Sequence, residues 1–193
     1  GTTKVRGQSS ADFPKKSYSL NALDARGGAR TVALPGFPAF GSWKLIGPWS
    51  YDRTYLYNAF VYALSNRLGR WAPRTQLVEV FLNLDGGDLD QADYAGIYVL
   101  TDGLDVDPDR IAITPLGPGD IDPPRVSGGY VFKIDVPDPD EFSFRLAGGF
   151  PAEPVALVLD STKAASLAPA QAAYLRGHLQ AFDDTLRANQ AAG

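Results

Sequence analysis

The sequence predicts an α+β domain with a mostly antiparallel sheet, one packed helix and a long closing helix. Three observations predict it. Short β-rich runs dominate the first three quarters of the chain, an apolar stripe of helical period runs through residues 51–68, and a second runs through residues 169–189. Strands, a helix, more strands and a final helix are the order expected of an α+β architecture.

The elements follow in chain order. Residues 3–6 and 16–20 read as strands flanking a turn-rich segment, and residues 42–46 as a short strand inside a Pro/Gly-rich loop over 35–48. In residues 51–68, Leu56, Phe60, Leu64 and Leu68 recur on one helical face, which predicts burial of Phe60 and Leu64. Asp52 or Ser50 suits its N-cap, and Gly69 sits where a left-handed residue ends a helix. Residues 77–82 and 95–100 form a hairpin around Asp85-Gly86-Gly87-Asp88, and residues 110–113, 130–134 and 155–159 are further strands. Spacing this close argues for antiparallel pairing. In the closing helix Leu175, Leu179, Phe182 and Leu186 share a face, with Ser166 a candidate cap and Pro169 suited to the first turn.

Composition sets the outer bounds. With 193 residues, 45% hydrophobic and 21% charged, the chain can bury one ordinary core, and a single domain over residues 1–193 is expected. A net charge of −4 leaves no broad cationic surface for a phosphodiester backbone, so nucleic acid is not an expected partner. Cysteine is absent, which removes disulfides, thiolate metal sites and cysteine nucleophiles together and leaves the compartment open. No apolar stretch approaches the length that spans a bilayer, so membrane insertion is not expected. The chain lacks Met and opens on Gly1-Thr2-Thr3 straight into a strand, so it is expected to be a segment of a longer protein.

The segment richest in chemistry is Arg6-Gly7-Gln8-Ser9-Ser10-Ala11-Asp12-Phe13-Pro14-Lys15-Lys16-Ser17-Tyr18. A strand enters a Gly/Ser turn and returns behind two lysines. Small residues let backbone N–H groups converge on phosphate oxygens, and a lysine on the next strand can add a mobile positive charge. Alternation puts Lys16 on the face of Tyr18 and Leu20, so Lys16 is the lysine expected to aim at a sheltered site. Two solvated lysines ahead of an ordinary strand are the alternative.

R-G-x-S-S followed by F-P-K-K-S-Y resembles the signature of the CotH kinase family, atypical protein kinases named after spore coat protein H. Later blocks resemble it in order: a W-x-L strand (Trp43, Leu45), an aspartate-led helix (52–68), V-E-V-F-L-N (78–83) leading to Y-A-G-I-Y-V-L (94–100), an acidic stretch ending at Arg110, S-G-G-Y-V-F-K-I-D (127–135), and a helix opening Q-A-A-Y-L (171–175). The resemblance implies a kinase-like fold with a sheet-rich N-lobe, ATP with Mg²⁺, and phosphoryl transfer to protein. It implies that Gly7, Gln8, Ser9 and Ser10 line the phosphates, that Lys16 contacts them with Lys15 beside it, and that Tyr98 to Asp102 passes near the adenine. It also favours an extracellular or cell-surface setting.

The chain departs from the family pattern in two places. The family's base and metal-holding aspartates fall in an N-x-D and W-D-F-D-like region with no counterpart before Gly193, and Asp102 stands where the family tends to carry glutamate. No catalytic or metal-ligating residue is therefore assigned. The chain is expected to be the N-terminal part of a larger CotH-like domain, cut before its catalytic segment and inactive in isolation. The alternatives are a non-catalytic surface or adhesion module on this scaffold, or a carbohydrate-binding module.

Several other groups invite a functional reading. Asp85, Asp88, Asp90 and Asp93, then Asp102, Asp105, Asp107 and Asp109, miss the calcium-loop spacing and are expected to cap turns. His178 has no nucleophile or acid at a supporting spacing. Trp43, Trp49, Tyr51, Tyr55, Tyr57 and Trp71 could stack on sugars but are expected in the core. Glu79 is either an ion-pair partner for Lys16 or an outward strand residue.

Overall fold

A computed structural model describes residues 1–7, 9–160 and 167–191. The chain divides into two compact units, Gly1–Ile111 and Ala112–Gly193. Gln8 and Ser166 lie outside the described residues.

The first unit is built on a five-stranded antiparallel sheet of β1 (Thr2–Arg6), β2 (Ser17–Asn21), β3 (Ser42–Ile46), β4 (Thr75–Phe81) and β5 (Tyr94–Asp102), in the order β1-β2-β3-β5-β4. Alternation decides its core face. Tyr18 lies opposite Leu45 and Leu45 opposite Leu100, while Val78 lies opposite Tyr98. These side chains, with Trp43, Val80 and Phe37, form the core cluster. Burying each large apolar side chain contributes about 1.5–3 kcal/mol. The register shifts between Val80 and Phe81, beside Gly96, which has φ +94°.

Helix α1 (Tyr57–Arg67) corrects the sequence reading. It starts at Tyr57, and none of its residues is buried: Phe60 is 68% and Leu64 46% exposed. The face turned toward its own unit carries Ala59, Tyr62 and Ser65 instead. The reason is local. Tyr55 adopts φ +63°, which interrupts any helix running through residues 51–56. At the other end Asn66 exchanges hydrogen bonds with both backbone groups of Ala72, fixing the smaller, more polar face inward. Asp52 still serves the helix, accepting from the Tyr57 N–H at 3.2 Å. Gly69 ends it at φ +74°, as its position suggests.

The expected strand over residues 110–113 does not form. Ile111 makes a single parallel bridge to Val106, and Arg110 is buried to 1% exposure. Its partners override the local β propensity: Nη2 donates to the Ser42 carbonyl at 2.5 Å, Nη1 pairs with Asp105, and the guanidinium carbon lies 3.6 Å from the Phe40 ring centroid.

The second unit holds a three-stranded antiparallel sheet of β6 (Phe132–Asp135), β7 (Ser143–Phe144) and β8 (Ala156–Leu159), with β8 central and buried along its whole length. Helix α2 (Pro169–Ala191) begins on Pro169 and buries Leu175 and Gln171. The Gln171 amide is satisfied in place, donating to the Gly117 and Asp120 carbonyls and accepting from the Ala168 N–H. The predicted stripe is buried only toward its start, since Phe182 is 60% and Leu186 46% exposed. Among the described residues, no helix is long and apolar enough to cross a membrane.

Candidate functional site

The turn singled out in the sequence forms as a tight reversal. Gly7 takes φ +101°, and a Cβ there would stand 2.0 Å from the Ser10 hydroxyl, so only glycine fits. A 3-10 turn over Ser9–Asp12 follows, and the chain returns through Lys15 and Lys16 into β2. Lys16 folds back on the turn, its Nζ donating to the Ala11 carbonyl at 2.6 Å. Since β2 starts only at Ser17, strand alternation does not govern either lysine.

Lys15 goes elsewhere. It lines a cavity of about 440 Å³ together with Trp49, Ser50, Asp52, Arg53 and Tyr55. Its Nζ donates to the Ile97 carbonyl at 2.5 Å and to the Tyr55 hydroxyl at 3.2 Å. The same ammonium stands 4.8 Å from the Tyr55 ring centroid and 4.7 Å from that of Tyr98. Contacts of this kind contribute about 0.5–2 kcal/mol each, more as water is excluded. Gly47, just past β3, makes room for the lysine stem. A Cβ there would meet the Lys16 carbonyl oxygen at 2.6 Å, the Tyr98 ring at 3.0 Å and Lys15 Cγ at 3.1 Å.

The wall of the cavity is stiff. Burial opposes charge on Asp52, yet the Thr54 hydroxyl and the N–H groups of Tyr57, Leu56 and Thr54 outweigh it and hold its carboxyl below the usual carboxylate range. Its oxygens are thus committed to the segment leading into α1. Tyr55 is the one non-glycine residue at positive φ among the described residues. For an aromatic residue this conformation stores on the order of 1–3 kcal/mol, and such strain concentrates at functional sites. Burial pushes the Tyr98 phenol up, with Tyr18 and Tyr55 adding to it.

Of the sequence-predicted residues, the structure groups Gly7, Ser10 and Lys16 at the turn, and sets Lys15 in the cavity wall with its ammonium against the Tyr98 ring. Ser9 opens the 3-10 turn. Asp102 lies at the far end of β5, about 13 Å along the strand from Tyr98 at 3.3 Å per residue. There its Oδ2 accepts from the Arg74 backbone N–H at 2.9 Å and from Arg74 Nε at 2.7 Å, with Arg110 Nε 3.5 Å from Oδ1.

Sequence reasoning missed Gly47, Arg53 and the cavity-lining role of Trp49, Asp52 and Tyr55. The available signal was the run P-W-S-Y-D-R-T-Y (48–55), dense in aromatic and charged residues directly ahead of a helix. The expectation that the aromatics build the core holds for Trp43 at 4% exposure, but Trp49, Tyr51, Tyr57 and Trp71 are 39–60% exposed. Glu79 is an outward residue that accepts from the Tyr94 hydroxyl. Asp85, Asp90, Asp93 and Asp107 cap local N–H groups, whereas Asp102 and Asp105 are ion-pair partners of Arg110. His178 stacks on Tyr174 at 5.9 Å between centroids.

The model of the CotH kinase protein family matches residues 3–176. No curated protein and no solved structure matches the chain.

Proposed function

The chain belongs to the CotH kinase family, and from that membership we propose that it binds ATP, with the phosphates drawn to the lysines that follow the Gly7 turn. The observation that carries the reading is the cavity in which two cations, Lys15 and Arg53, stand beside two aromatic rings, Trp49 and Tyr55. Cations suit phosphate oxygens, and aromatic faces suit a nucleobase. The turn at Gly7 and Ser10, with Lys16 folded against it, supplies a second run of small residues and positive charge next in the chain.

ATP therefore fits the residues present. A divalent metal does not find a home in the same way. Among the described residues no three His, Cys, Asp or Glu side chains come together to hold an ion, and the Asp52 carboxylate already accepts from the Thr54 hydroxyl and the Tyr57 N–H. Phosphoryl transfer depends on charge neutralisation around the moving group, so these residues are proposed to hold nucleotide without transferring its phosphoryl group unaided.

The test is calorimetric titration of the 193-residue chain with ATP, with and without Mg²⁺, beside an assay with labelled ATP and a generic protein acceptor. Saturable heat without label transfer is the expected result. No heat at millimolar ATP would reject nucleotide binding, and stoichiometric label transfer would reject the inactivity.

A second reading, a carbohydrate-binding surface, is favoured by the exposure of Trp49, Tyr51, Tyr57 and Trp71. Glycan-array binding that is lost in Trp49→Ala and untouched by ATP would favour it over the first.

A further inference from the structure

The Lys15 ammonium is not free in this cavity. It is held at the wall by the Tyr55 hydroxyl, by the Ile97 carbonyl and by two aromatic faces. All are neutral partners. A phosphate oxygen is a charged acceptor, and a charge-assisted hydrogen bond is roughly twice as strong as one to a neutral group. The bond to the Ile97 carbonyl is solvent-exposed, so water can take over that oxygen once the lysine leaves.

Tyr55 is the residue that makes this arrangement. It alone, among the described non-glycine residues, stands at positive φ, and that conformation accompanies a side chain whose ring and hydroxyl both engage the ammonium. Strain held at a cavity wall, on the residue that binds the cavity's cation, marks a contact built for exchange and not for packing. Pro48 and Gly47 precede the segment, and Asp52 accepts from three of its backbone N–H groups, contacts that do not involve the lysine.

We propose that Tyr55 is a positioning residue that parks the Lys15 ammonium at the cavity wall, and that an entering phosphate takes the ammonium over from Tyr55. The proposal rests on the phosphate-binding reading of the same cavity and adds its specificity logic. A ligand without a phosphate cannot displace the parked lysine, so it meets a cavity whose cation is already engaged. Parking reduces apparent affinity, because the competent arrangement must be drawn from the parked one. Removing only the hydroxyl should therefore tighten phosphate binding.

The experiment uses the 193-residue chain with lysines carrying ¹³C at Cε, the Lys15 signal being identified by its loss in Lys15→Arg. Inorganic triphosphate and ATP are titrated in parallel, by NMR and by calorimetry, into the natural chain and into Tyr55→Phe. In the free natural chain the Lys15 Cε protons are expected upfield, since the ammonium they adjoin stands 4.8 Å and 4.7 Å from two ring centroids, and saturating triphosphate moves them back toward the position of a solvated lysine. Tyr55→Phe binds triphosphate about three- to tenfold more tightly, the net effect of one competing hydrogen bond. A purely structural Tyr55 would make binding in Tyr55→Phe weaker or equal, and that result overturns the proposal, as does a Lys15 signal unmoved at saturation. The two readings separate cleanly. If ATP binds and Lys15 does not move, parking is wrong and nucleotide binding stands. If triphosphate releases Lys15 and ATP does not bind, parking stands and the nucleotide reading falls. If neither ligand binds, both fall.

Discussion

Arg110 Nε stands 3.5 Å from Asp102 Oδ1, and neither side chain is exposed to solvent. The separation permits strong Coulomb attraction, but among the described residues neither of these two atoms has a hydrogen-bond partner, so the pair is held by charge and by its neighbours. Arg74 and Asp105 close the network on either side. Removing one partner strands the other charge. Arg110→Met is expected to lower the unfolding free energy by about 3–5 kcal/mol, and Asp102→Leu in the same chain to recover much of it. Urea midpoints for both single variants and the double variant check this; strictly additive losses would show that the two side chains are not coupled.

Gly47 offers a test of the site's geometry. Gly47→Ala forces a methyl group onto the Lys16 carbonyl and the Lys15 stem. It should cost about 1–3 kcal/mol by overpacking and displace Lys15 from the rings of Tyr55 and Tyr98. Gly119→Ala, where nothing lies within 4 Å of the new carbon, is the control and should stay within about 0.5 kcal/mol of the natural chain. Thermal denaturation of the two variants, side by side, reads the difference.

The Asp52 carboxyl is held below its ordinary value, so it contributes stability at neutral pH. A depressed folded-state value means that the unfolded chain binds the proton first. The contribution is complete above the ordinary carboxylate range near pH 4 and is lost as pH falls through the folded value. Asp52→Asn should therefore flatten the acid side of the stability profile while lowering stability at pH 7. Urea midpoints between pH 2 and pH 7 measure it, and an unchanged acid slope would assign the slope to other carboxylates.

Much of the first sheet is legible in the sequence because its core face alternates cleanly: Trp43 and Leu45, Val78 and Val80, Tyr98 and Leu100. The two-residue strand β7 carries too little pattern to be seen. Residues 110–113 look like a strand because the β-branched Ile111 and Ile113 alternate, yet Arg110 is drawn inward by Ser42 and Asp102, the first of them 68 positions away. The stripe of α1 obeys the helical period but says nothing about which face has a neighbour. At the site, the pair of lysines is visible in F-P-K-K-S-Y. Which of them meets the cavity depends on Tyr55, 40 positions from Lys15, and on the positive φ of that residue. No local pattern encodes a contact of that reach.

Gly177 lies inside α2 with open space around it and no left-handed backbone. Gly177→Ala should stabilise the chain by about 0.5–1 kcal/mol, since alanine loses less backbone freedom on entering a helix. A rise in melting temperature with unchanged far-ultraviolet dichroism is the expected readout; a fall would show that the position is crowded.

The exposed stripe of α1 has a consequence for the order in which the molecule opens. An 11-residue helix that buries none of its residues draws little support from tertiary packing, and helices of that length are marginal by themselves. Its opening requires the loss of few apolar contacts, in contrast to β5, whose residues from Tyr98 to Asp102 are all buried. In native-state amide exchange, the N–H groups of α1 should take up deuterium through local opening well before those of β5, which wait for global unfolding. The segment that leads into α1 carries Asp52 and Tyr55, so the candidate site adjoins the least cooperative helix turn of its unit. A ligand bound at the cavity would then be read most sensitively as slowed exchange at Tyr57, whose N–H is held by the cavity residue Asp52.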